Sequence, residues 1–386
     1  MPVDAEPNAP AASAGGILTI DLAALAENYR RLRDRVGPGV TCAAAVKADA
    51  YGLGAARVVP ALHRAGCRTF FVAHLAEGAA IRPLLGADST IFVLNGPMPG
   101  TEAAMRQAGL VPVLNSLEQI ANWRALAHQA GTPLPAALQL DSGMSRFGLS
   151  DEDVATLLSE DTPLAGLTPL LVMSHLACAD EPAHPANRAQ RTTFLRLRAQ
   201  LPALPASLAA SSGLFLGADW HFDMVRPGAA LYGINPTPGQ PNPMLPVVRL
   251  QARIVQTRQI GPGTAVGYGA GFIADRPSRI ATLGVGYGDG FPRAIGGHGH
   301  AILPERPDLR LPIVGRISMD CLAVDVTTLG DTPLAPGTAL DLIGPHHSLE
   351  DAAEAAGTIG YELLTGLGRR YHRVYRADAS PQGDNR

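Results

Sequence analysis

The chain has 386 residues, of which 46% are hydrophobic and 17% charged, and its formal net charge is −3. This length favours two domains over one core, and the apolar content is typical of a packed globular protein. Without a basic excess to neutralise phosphates, a nucleic-acid partner is excluded. No apolar stretch approaches the length of a membrane span, so we expect no membrane attachment.

The two ends of the chain are interpreted as flexible tails, at residues 1–16 and 381–386. The N-terminal tail has neither the basic start nor the apolar run of a secretory signal. The four cysteines are widely spaced and form no C-x-x-C pair. This usage favours reduced thiols in a cytoplasmic protein over a disulfide framework.

After the tail, the predicted strand Ile17–Asp21 leads into an amphipathic helix, Leu22–Arg35. We expect this strand to pair with the second domain. Short β-prone runs then alternate with Ala/Leu/Arg-rich segments of helical period, such as Ser116–Gln129 and Ala186–Ala199. The predicted strands are Thr41–Val46, Thr69–Ala73, Thr90–Leu94, Val111–Leu114, Ala137–Leu140, Leu170–Ser174, Ser207–Ala210 and Asp223–Tyr232.

Strands that alternate with helices predict a parallel sheet. Eight such runs predict an α/β fold of the closed (β/α)8 TIM-barrel type, which we place at residues 17–240. An open doubly wound sheet is the alternative, but no G-x-G-x-x-G motif follows the first strand.

A proline-rich linker, Asn235–Pro246, precedes a change in the sequence pattern from alternating strands and helices to mostly strands. We predict a mostly-β C-terminal domain at 241–380, with helices at Leu349–Ala356 and from Tyr361. Its predicted strands are Val247–Gln259, Ser278–Leu283, Leu311–Ile317, Leu322–Val326 and Thr338–Ile343.

Lys47 is the only lysine in the sequence, and it directly follows the first predicted barrel strand. Active sites of parallel barrels lie at the carboxyl ends of the strands. An amine there is costly to bury unless it is neutralised or paired. It either forms an imine with an aldehyde cofactor or extends to the solvent at the barrel rim.

Other strand ends carry further candidates. Arg146, in the loop Asp141–Gly148, suits capture of a carboxylate or a salt bridge at the rim. His175 either stacks on a flat ring or bonds a carbonyl. The segments Ser211–Gly213 and Arg226–Ala229 follow strands seven and eight, where barrels commonly hold phosphate, although each also reads as a simple turn.

In the β domain, Tyr268, Tyr287 and Tyr361 stand in glycine-rich segments, and Arg316 precedes Asp320 after a predicted strand. Such tyrosines usually cap turns, but they gain interest if they reach a site across an interface. Histidines at 298, 300, 346 and 347 suggest surface loops, and we expect no metal site because matching ligands are lacking.

Together these motifs resemble the alanine racemase family, which consists of fold-type III enzymes dependent on pyridoxal 5′-phosphate (PLP). The resemblance runs from Leu18 to Tyr375. Motifs that recur in the family's order are Ala45–Gly54, Asp141–Gly148, His175–Asp180, Val225–Gly228, Gly267–Gly269, Gly286–Gly290, Gly315–Asp320 and Thr358–Glu362.

By this resemblance, Lys47 carries PLP as a Schiff base and acts as one acid/base. Tyr268, donated by the partner subunit of a homodimer, resembles the opposing base. Arg226 resembles the arginine that bonds the pyridine nitrogen, and His175 the imidazole near the ring. Two bases suit racemisation, because the Cα proton leaves one face and returns on the other.

The resemblance also implies groups for the substrate carboxylate, the phosphate and an access corridor. Arg146 and the backbone N–H of Met319 correspond to the carboxylate site. The phosphate positions correspond to Tyr51, Ser211, Gly228, Ala229 and Tyr361. The corridor positions correspond to Asp180, Tyr287, Arg316 and Ile359.

The sequence departs from the family pattern at several positions. Gln139 replaces a lysine that many relatives carbamylate to support the arginine at position 146. We hypothesise that chloride or water takes that place, and a bromide soak without an anomalous peak near Arg146 would reject chloride. The other departures are Asp49, Ala210 and Ser318.

The resemblance implies a racemase that interconverts L- and D-alanine, for D-alanine and peptidoglycan synthesis or for catabolism. Alternatives are a racemase of broader scope that accepts serine, a PLP decarboxylase of the same fold type, and a non-catalytic PLP carrier. An arginine at the pyridine nitrogen disfavours the decarboxylase. The domain that holds Tyr268 disfavours the carrier.

Overall fold

A computed structural model describes residues 11–377, and the chain divides into two compact units. One unit is Leu25–Leu245; the other combines the segment through Ala24 with the segment from Pro246. The barrel unit thus extends past the predicted boundary at residue 240. Asn28 explains this, since its amide donates to the Leu245 carbonyl at 2.9 Å and its Oδ1 accepts from the Leu245 N–H at 2.8 Å.

The predicted tails fall largely on residues 1–10 and 381–386, which lie outside the described residues. The N-terminal tail ends earlier than predicted. Ala14 is buried, and the Arg253 N–H donates to the Gly15 carbonyl at 2.8 Å.

Within residues 25–245, short parallel strands pair in chain order and form a ring. The strands are Thr41–Cys42, continued after one residue by Ala44–Ala45, then Thr69–Val72, Thr90–Val93, Val111–Leu114, Leu134–Gln139, Leu167–Met173, Ala206–Ser207 and Met224–Val225. The last strand pairs with the first through Val225 and Cys42. The Arg226 N–H donates to the Ala209 carbonyl at 2.9 Å. The closed (β/α)8 barrel is therefore confirmed.

The helices of this unit follow the strands. The α-helices are Leu22–Val36, whose first residues belong to the other unit, Ala55–Arg64, Leu75–Ile81, Glu102–Gln107, Leu117–Ala130, Asp151–Leu158 and Pro185–Arg198. The 3-10 turns are Arg82–Leu84, Gly213–Leu216, Ala218–Trp220 and Ala229–Tyr232. The predicted strand Asp223–Tyr232 is wrong after Val225, because Pro227 offers no N–H to a ladder and the chain turns at Gly228.

Side chains fill the barrel interior. Phe71 and Phe92 stack at 4.9 Å between ring centroids. Burying one such side chain stabilises the fold by about 1.5–3 kcal/mol. The surrounding cluster consists of Ala43, Ala45, Val111, Val113, Ala137, Leu171 and Met173. A packed interior leaves the strand ends as the place for chemistry.

The second unit is a mostly antiparallel sheet system with few helices, in which Gly16–Asp21 pairs in parallel with His372–Arg376. Its strands are Gly16–Asp21, Val248–Ile260, Ala265–Val266, Phe272–Ile273, Ser278–Leu283, His300–Leu303, Arg306–Val314, Leu322–Asp325, Ala339–Ile343 and His372–Arg376. Its helices are Leu349–Ala355 and Gly360–Gly366. Its 3-10 turns are Tyr268–Ala270, Tyr287–Asp289, Arg293–Ile295 and Thr327–Leu329.

The long strand Val248–Ile260 organises this unit. It pairs with Gly16–Asp21, where Leu18 faces Leu250, and with Ser278–Leu283, a pairing that contains a bulge between Ile254 and Gln256. The N-terminal strand thus belongs to the β unit. Bulges of this kind bend a strand and let it serve two partners.

The histidines of this unit do not all lie in surface loops, so that prediction is wrong for His300, which begins the strand His300–Leu303, and for His347. The His347 side chain is 2% exposed and stacks on His300 at 3.9 Å. Burial and the neighbouring His300 lower the pKa of His347 to about 4, so it is neutral at physiological pH.

No helix within residues 11–377 is both long and apolar enough to cross a membrane. All four cysteine thiols lie in this range and are free.

Candidate active site

Lys47 follows the interrupted first barrel strand at its carboxyl end. The side chain is half-buried. Burial lowers the pKa of its amine, the positive charge of Arg146 and Arg226 lowers it further, and the Glu77 carboxylate opposes this. A larger fraction of the amine is therefore unprotonated near neutral pH than for a free lysine.

The backbone after Lys47 makes a left-handed turn. Residues 48–51 have φ between 53° and 56°, although none of them is glycine. Left-handed backbone costs an L-residue roughly 1–2 kcal/mol. The Asp49 carboxylate helps to hold the turn by accepting from the Ala55 N–H at 2.6 Å. The turn directs the Tyr51 ring onto Tyr232, with centroids 4.5 Å apart.

Arg226 is a buried guanidinium whose contacts are uncharged. It donates to the Ser207 hydroxyl and, at 2.7 Å, to the Ser174 carbonyl, and it lies 3.4 Å from His175 Nδ1. Burial lowers the pKa of Arg226 to about 9. Burial, together with positive charge from Arg226, Arg146 and Lys47, lowers the pKa of His175 to about 3, so this imidazole is neutral.

Ser211 and the 3-10 turn after Arg226 form a compact, hydrogen-bonded cluster. The buried Ser211 hydroxyl accepts from the Gly228 N–H at 3.0 Å and from the Ala230 N–H at 3.1 Å. A Cβ on Gly228 would lie 2.3 Å from the Tyr51 hydroxyl. Ala229 is also buried here. The close approach of Tyr51 to this backbone therefore requires glycine at position 228.

Arg146 sits in a loop that one carboxylate closes. Asp141 Oδ1 accepts from the N–H groups of Gly143, Met144 and Ser145 at 2.9–3.1 Å. The guanidinium is exposed. The buried Gln139 ends the preceding strand, and its carbonyl accepts from the Leu149 N–H at 2.8 Å.

The loop after His175 carries Asp180, which is exposed. Two buried amides of the helix Pro185–Arg198 hold this loop. Gln190 donates to the His175 carbonyl at 3.0 Å and accepts from the Ala177 N–H at 2.8 Å. Asn187 donates to the carbonyls on both sides of Asp180, at Cys178 and Glu181.

The β unit brings a second set of predicted residues together. The Tyr287 N–H donates to the Ser318 carbonyl at 3.0 Å, and the Gly288 N–H donates to the Met319 carbonyl at 2.8 Å. The turn that bears Tyr268 packs on Arg316, because a Cβ on Gly269 would lie 3.0 Å from its Nη1.

These β-unit side chains are open to solvent. Tyr268 is 70% exposed, Met319 53% and Tyr287 42%. Ile359 and Tyr361, at the start of the helix Gly360–Gly366, belong to the same unit and are 61% and 38% exposed. Tyr361, predicted with the phosphate group, therefore lies in a different unit from Ser211 and Gly228.

The polar residues that hydrogen-bond to the backbone around the site are not predicted from the sequence. Glu77 accepts backbone hydrogen bonds next to Lys47, and Gln190 and Asn187 fix the loop after His175. Glu77 stands at the third position of a helix after the second strand, which is a known capping position. The buried amides leave no such signal in the sequence.

Comparisons with known proteins agree on one family. The models of the alanine racemase N-terminal and C-terminal domains match residues 20–236 and 247–375. A catabolic alanine racemase of Mesorhizobium japonicum is 54% identical over 94% of both chains. An alanine racemase of Rhodospirillum rubrum is 51% identical over 94% of this chain and 96% of its own.

Solved structures extend the likeness to three dimensions. The crystal structure of alanine racemase from Bartonella henselae with covalently bound pyridoxal phosphate has a TM-score of 0.90 and 42% identity, over 94% of this chain and 99% of that one. The biosynthetic alanine racemase from Pseudomonas aeruginosa has a TM-score of 0.84 and 37% identity, over 94% and 99% of the two chains. The chain belongs to the alanine racemase family.

Proposed function

We propose that this chain is an alanine racemase that interconverts L- and D-alanine with PLP bound to Lys47. The observation that carries the proposal is the half-buried Lys47 amine at a barrel strand end, with its pKa lowered by burial and by Arg146. Such an amine suits attachment of an aldehyde cofactor and proton transfer near neutral pH.

The residues around Lys47 fit PLP. Arg226 is a buried donor among neutral groups, which suits an uncharged ring nitrogen as acceptor. The backbone at Gly228, pressed against Tyr51 and anchored on Ser211, suits a phosphate, which binds backbone N–H groups and hydroxyls. Positive charge from Lys47, Arg146 and Arg226 favours an anionic ligand at this mouth.

When bound, PLP would supply an electron-withdrawing ring that acidifies the Cα–H of the amino acid attached to it. Lys47 would take or return the Cα proton on one face. Arg226, as a hydrogen-bond donor, would keep the ring nitrogen unprotonated, which limits side reactions. The neutral His175 would lie near the ring without adding charge.

The exposed hydrogen-bond donors supply the proposed contacts to the substrate. Arg146 offers a planar fork for the substrate carboxylate, and the Met319 N–H offers a second donor. The proposed corridor, which admits the substrate, comprises Asp180, Tyr287, Arg316 and Ile359. Tyr361, with Tyr51 and Ala229, completes the proposed phosphate site.

The opposite face of the substrate needs a second base, which we assign to Tyr268 of a second copy of the chain. The 70% exposure of this tyrosine supports the proposal, because a buried phenol could not enter another subunit. The glycine-rich turn on Arg316 supports it further by presenting the ring on a defined backbone. The enzyme would therefore be a homodimer that shares each site.

The test combines cofactor mapping with a racemisation assay. Borohydride reduction of the purified holoenzyme should fix a pyridoxyl group on Lys47, the only lysine, and peptide mass mapping locates it. Optical rotation of L-alanine should decay to zero in the presence of the enzyme. Failure of both results rejects the proposal. Faster decay with L-serine than with L-alanine replaces it with a serine racemase, and labelling without any decay leaves a carrier.

A further inference from the structure

The Glu77 carboxylate connects two turns at the barrel mouth. Its Oε1 accepts from the Ala48 N–H at 2.7 Å. Its Oε2 accepts from the Ala73 N–H at 2.7 Å and the His74 N–H at 3.1 Å. One side chain therefore ties the backbone after the first barrel strand to the backbone after the second.

The bond to Ala48 fixes the peptide directly after Lys47. Ala48 is also the first residue of the left-handed turn, with φ of 53°. On the other side of Lys47, the Val46 N–H donates to the Phe71 carbonyl at 2.8 Å. The peptide directly after Lys47 and the Ala45–Val46 peptide, one position before its other flanking peptide, are thus anchored on the second strand and the residues that follow it, which sets the direction of the lysine Cα–Cβ bond.

Glu77 also supplies negative charge close to a cluster of cations. Arg146 and Arg226 act on the Lys47 amine in the direction that lowers its pKa, and Glu77 acts in the opposite direction. The same carboxylate therefore influences both the position and the protonation of the amine.

We propose that Glu77 is a positioning residue for Lys47, which holds the amine in the orientation that cofactor attachment and proton transfer at Cα require. This inference rests on the proposed function of Lys47. A simpler reading is that Glu77 only caps its own helix, since it occupies the third position of Leu75–Ile81 and accepts from the N-cap residue His74.

Three variants, one of them a matched control, separate these readings. Glu77→Gln keeps one oxygen for the helix cap. It replaces the other oxygen, which accepts from the Ala48 N–H in the wild type, with an NH2 group. Asp153→Asn is the control, because Asp153 makes the same capping box at the start of Asp151–Leu158. Glu77→Asp keeps the charge but shortens the reach by one methylene.

The first measurement uses the full-length protein after removal of the cofactor with hydroxylamine. The rate at which acetic anhydride acetylates Lys47 is followed against pH by peptide mass mapping. The N-terminal amine falls in a different peptide, so the single lysine reports its own titration. We expect the midpoint to move to lower pH in Glu77→Gln and to stay at the wild-type pH in Asp153→Asn.

The second measurement compares kcat and KM of the PLP-loaded variants. Misplacement of a reacting group by about 1 Å can cost roughly 10²-fold, so we expect kcat of Glu77→Gln and Glu77→Asp to fall about tenfold or more. KM for alanine should stay within a few-fold of wild type. Asp153→Asn should keep the wild-type kcat.

The inference is overturned if Glu77→Gln moves neither the acetylation midpoint nor kcat more than Asp153→Asn does. If Glu77→Gln does not fold, an unchanged kcat in Glu77→Asp overturns the inference alone. Failure of the proposed function is distinguishable, because wild-type holoenzyme would then show no pyridoxyl group on Lys47 after borohydride. The acetylation titration would still report the effect of Glu77 on the amine.

Discussion

The barrel mouth and the exposed face of the β unit hold their functional side chains in opposite ways. In the barrel, Arg226 is 5% exposed and Ser211 4%, and both are bonded to their own chain. In the β unit, Tyr268 is 70% exposed and Met319 53%. Arg226 and Ser211 are preorganised by burial, whereas the β-unit groups are presented by their backbone.

This difference indicates which half of the chemistry each unit can perform alone. Buried groups that their own chain holds in place are ready to contact a cofactor, since little reorganisation is needed on binding. An exposed tyrosine in water has no preorganised partner, and it gains one only when another surface covers it. Under the proposed function, the barrel therefore supplies the buried contacts to PLP, and Tyr268 of the β unit completes the site of another copy.

The largest effect should follow from removing the exposed base. Tyr268→Phe should lower racemisation roughly 10²- to 10⁴-fold, the usual contribution of a general acid–base group. Stability should hardly change, because the side chain is 70% exposed. Exchange of the Cα proton with deuterium, followed by NMR, should fall much more for one enantiomer of alanine than for the other. Equal and minor losses for both enantiomers would contradict the role of Tyr268.

A smaller effect, confined to cofactor binding, should follow from adding a methyl group at Gly228. Gly228→Ala places a Cβ 2.3 Å from the Tyr51 hydroxyl and 3.2 Å from the Ala45 Cβ. Since Tyr51 is stacked on Tyr232, it cannot retreat without repacking, at a typical cost of about 1–3 kcal/mol. We expect PLP affinity, titrated by absorbance, to fall about tenfold or more.

Gly261→Ala is the matched control for this variant, because a Cβ there meets nothing within 4 Å. It should keep the wild-type affinity for PLP. If Gly228→Ala binds PLP as tightly as Gly261→Ala does, the phosphate site does not depend on the contact between Gly228 and Tyr51.

The corresponding glycine of the β unit should affect substrate more than cofactor. A Cβ on Gly286 would lie 2.3 Å from the Ser318 carbonyl oxygen and 2.5 Å from that of Met319. Backbone must then shift around the Met319 N–H, the proposed carboxylate donor. We expect KM for alanine to rise several-fold while PLP affinity stays near wild type, because the shift weakens but does not remove a hydrogen bond to a charged group, which contributes about 1.5–3 kcal/mol when intact. A loss of PLP affinity with unchanged KM would contradict the division between the two units.

The sequence predicts the barrel well because its strands and turns follow local patterns. Lys47 and His175 are predicted just after strand ends and lie there in the structure, and Arg146 lies in the predicted loop after the strand Leu134–Gln139. The strand His300–Leu303 was missed because its pattern is short. The stacking of His300 on His347 was missed because residues far apart in sequence determine it.

The polar groups that support the site were not predictable for the same reason. Glu77 bonds to Ala48 across 29 residues, and Arg226 bonds to Ser174 across 52. Such contacts depend on the barrel register and not on local propensity. A resemblance to a family names the reacting residues, but the bonds that hold them become visible only when the strands are assembled.

Replacing a buried histidine of the β unit should have the smallest effect on turnover but should alter how stability depends on pH. His347 is 2% exposed, and its neighbours His300, Asp351 and Arg310 leave its pKa at about 4, against 6.5 in an unfolded chain. Because the unfolded state binds the proton more tightly, stability is lost as the pH falls from about 6.5 towards 4. Linkage gives a loss of roughly 2 kcal/mol between pH 7 and pH 5.

Urea denaturation followed by circular dichroism at pH 7 and pH 5 measures this loss. His347→Gln should lose much less stability between the two pH values than wild type, whatever its offset at pH 7. His346→Gln alters the neighbouring exposed histidine and should keep the wild-type difference. Both variants should racemise alanine normally at pH 8, since neither residue belongs to the proposed site. Equal acid sensitivity of His347→Gln and wild type would assign the pH dependence of stability to other groups. The burial of His347 would then contribute nothing to that dependence.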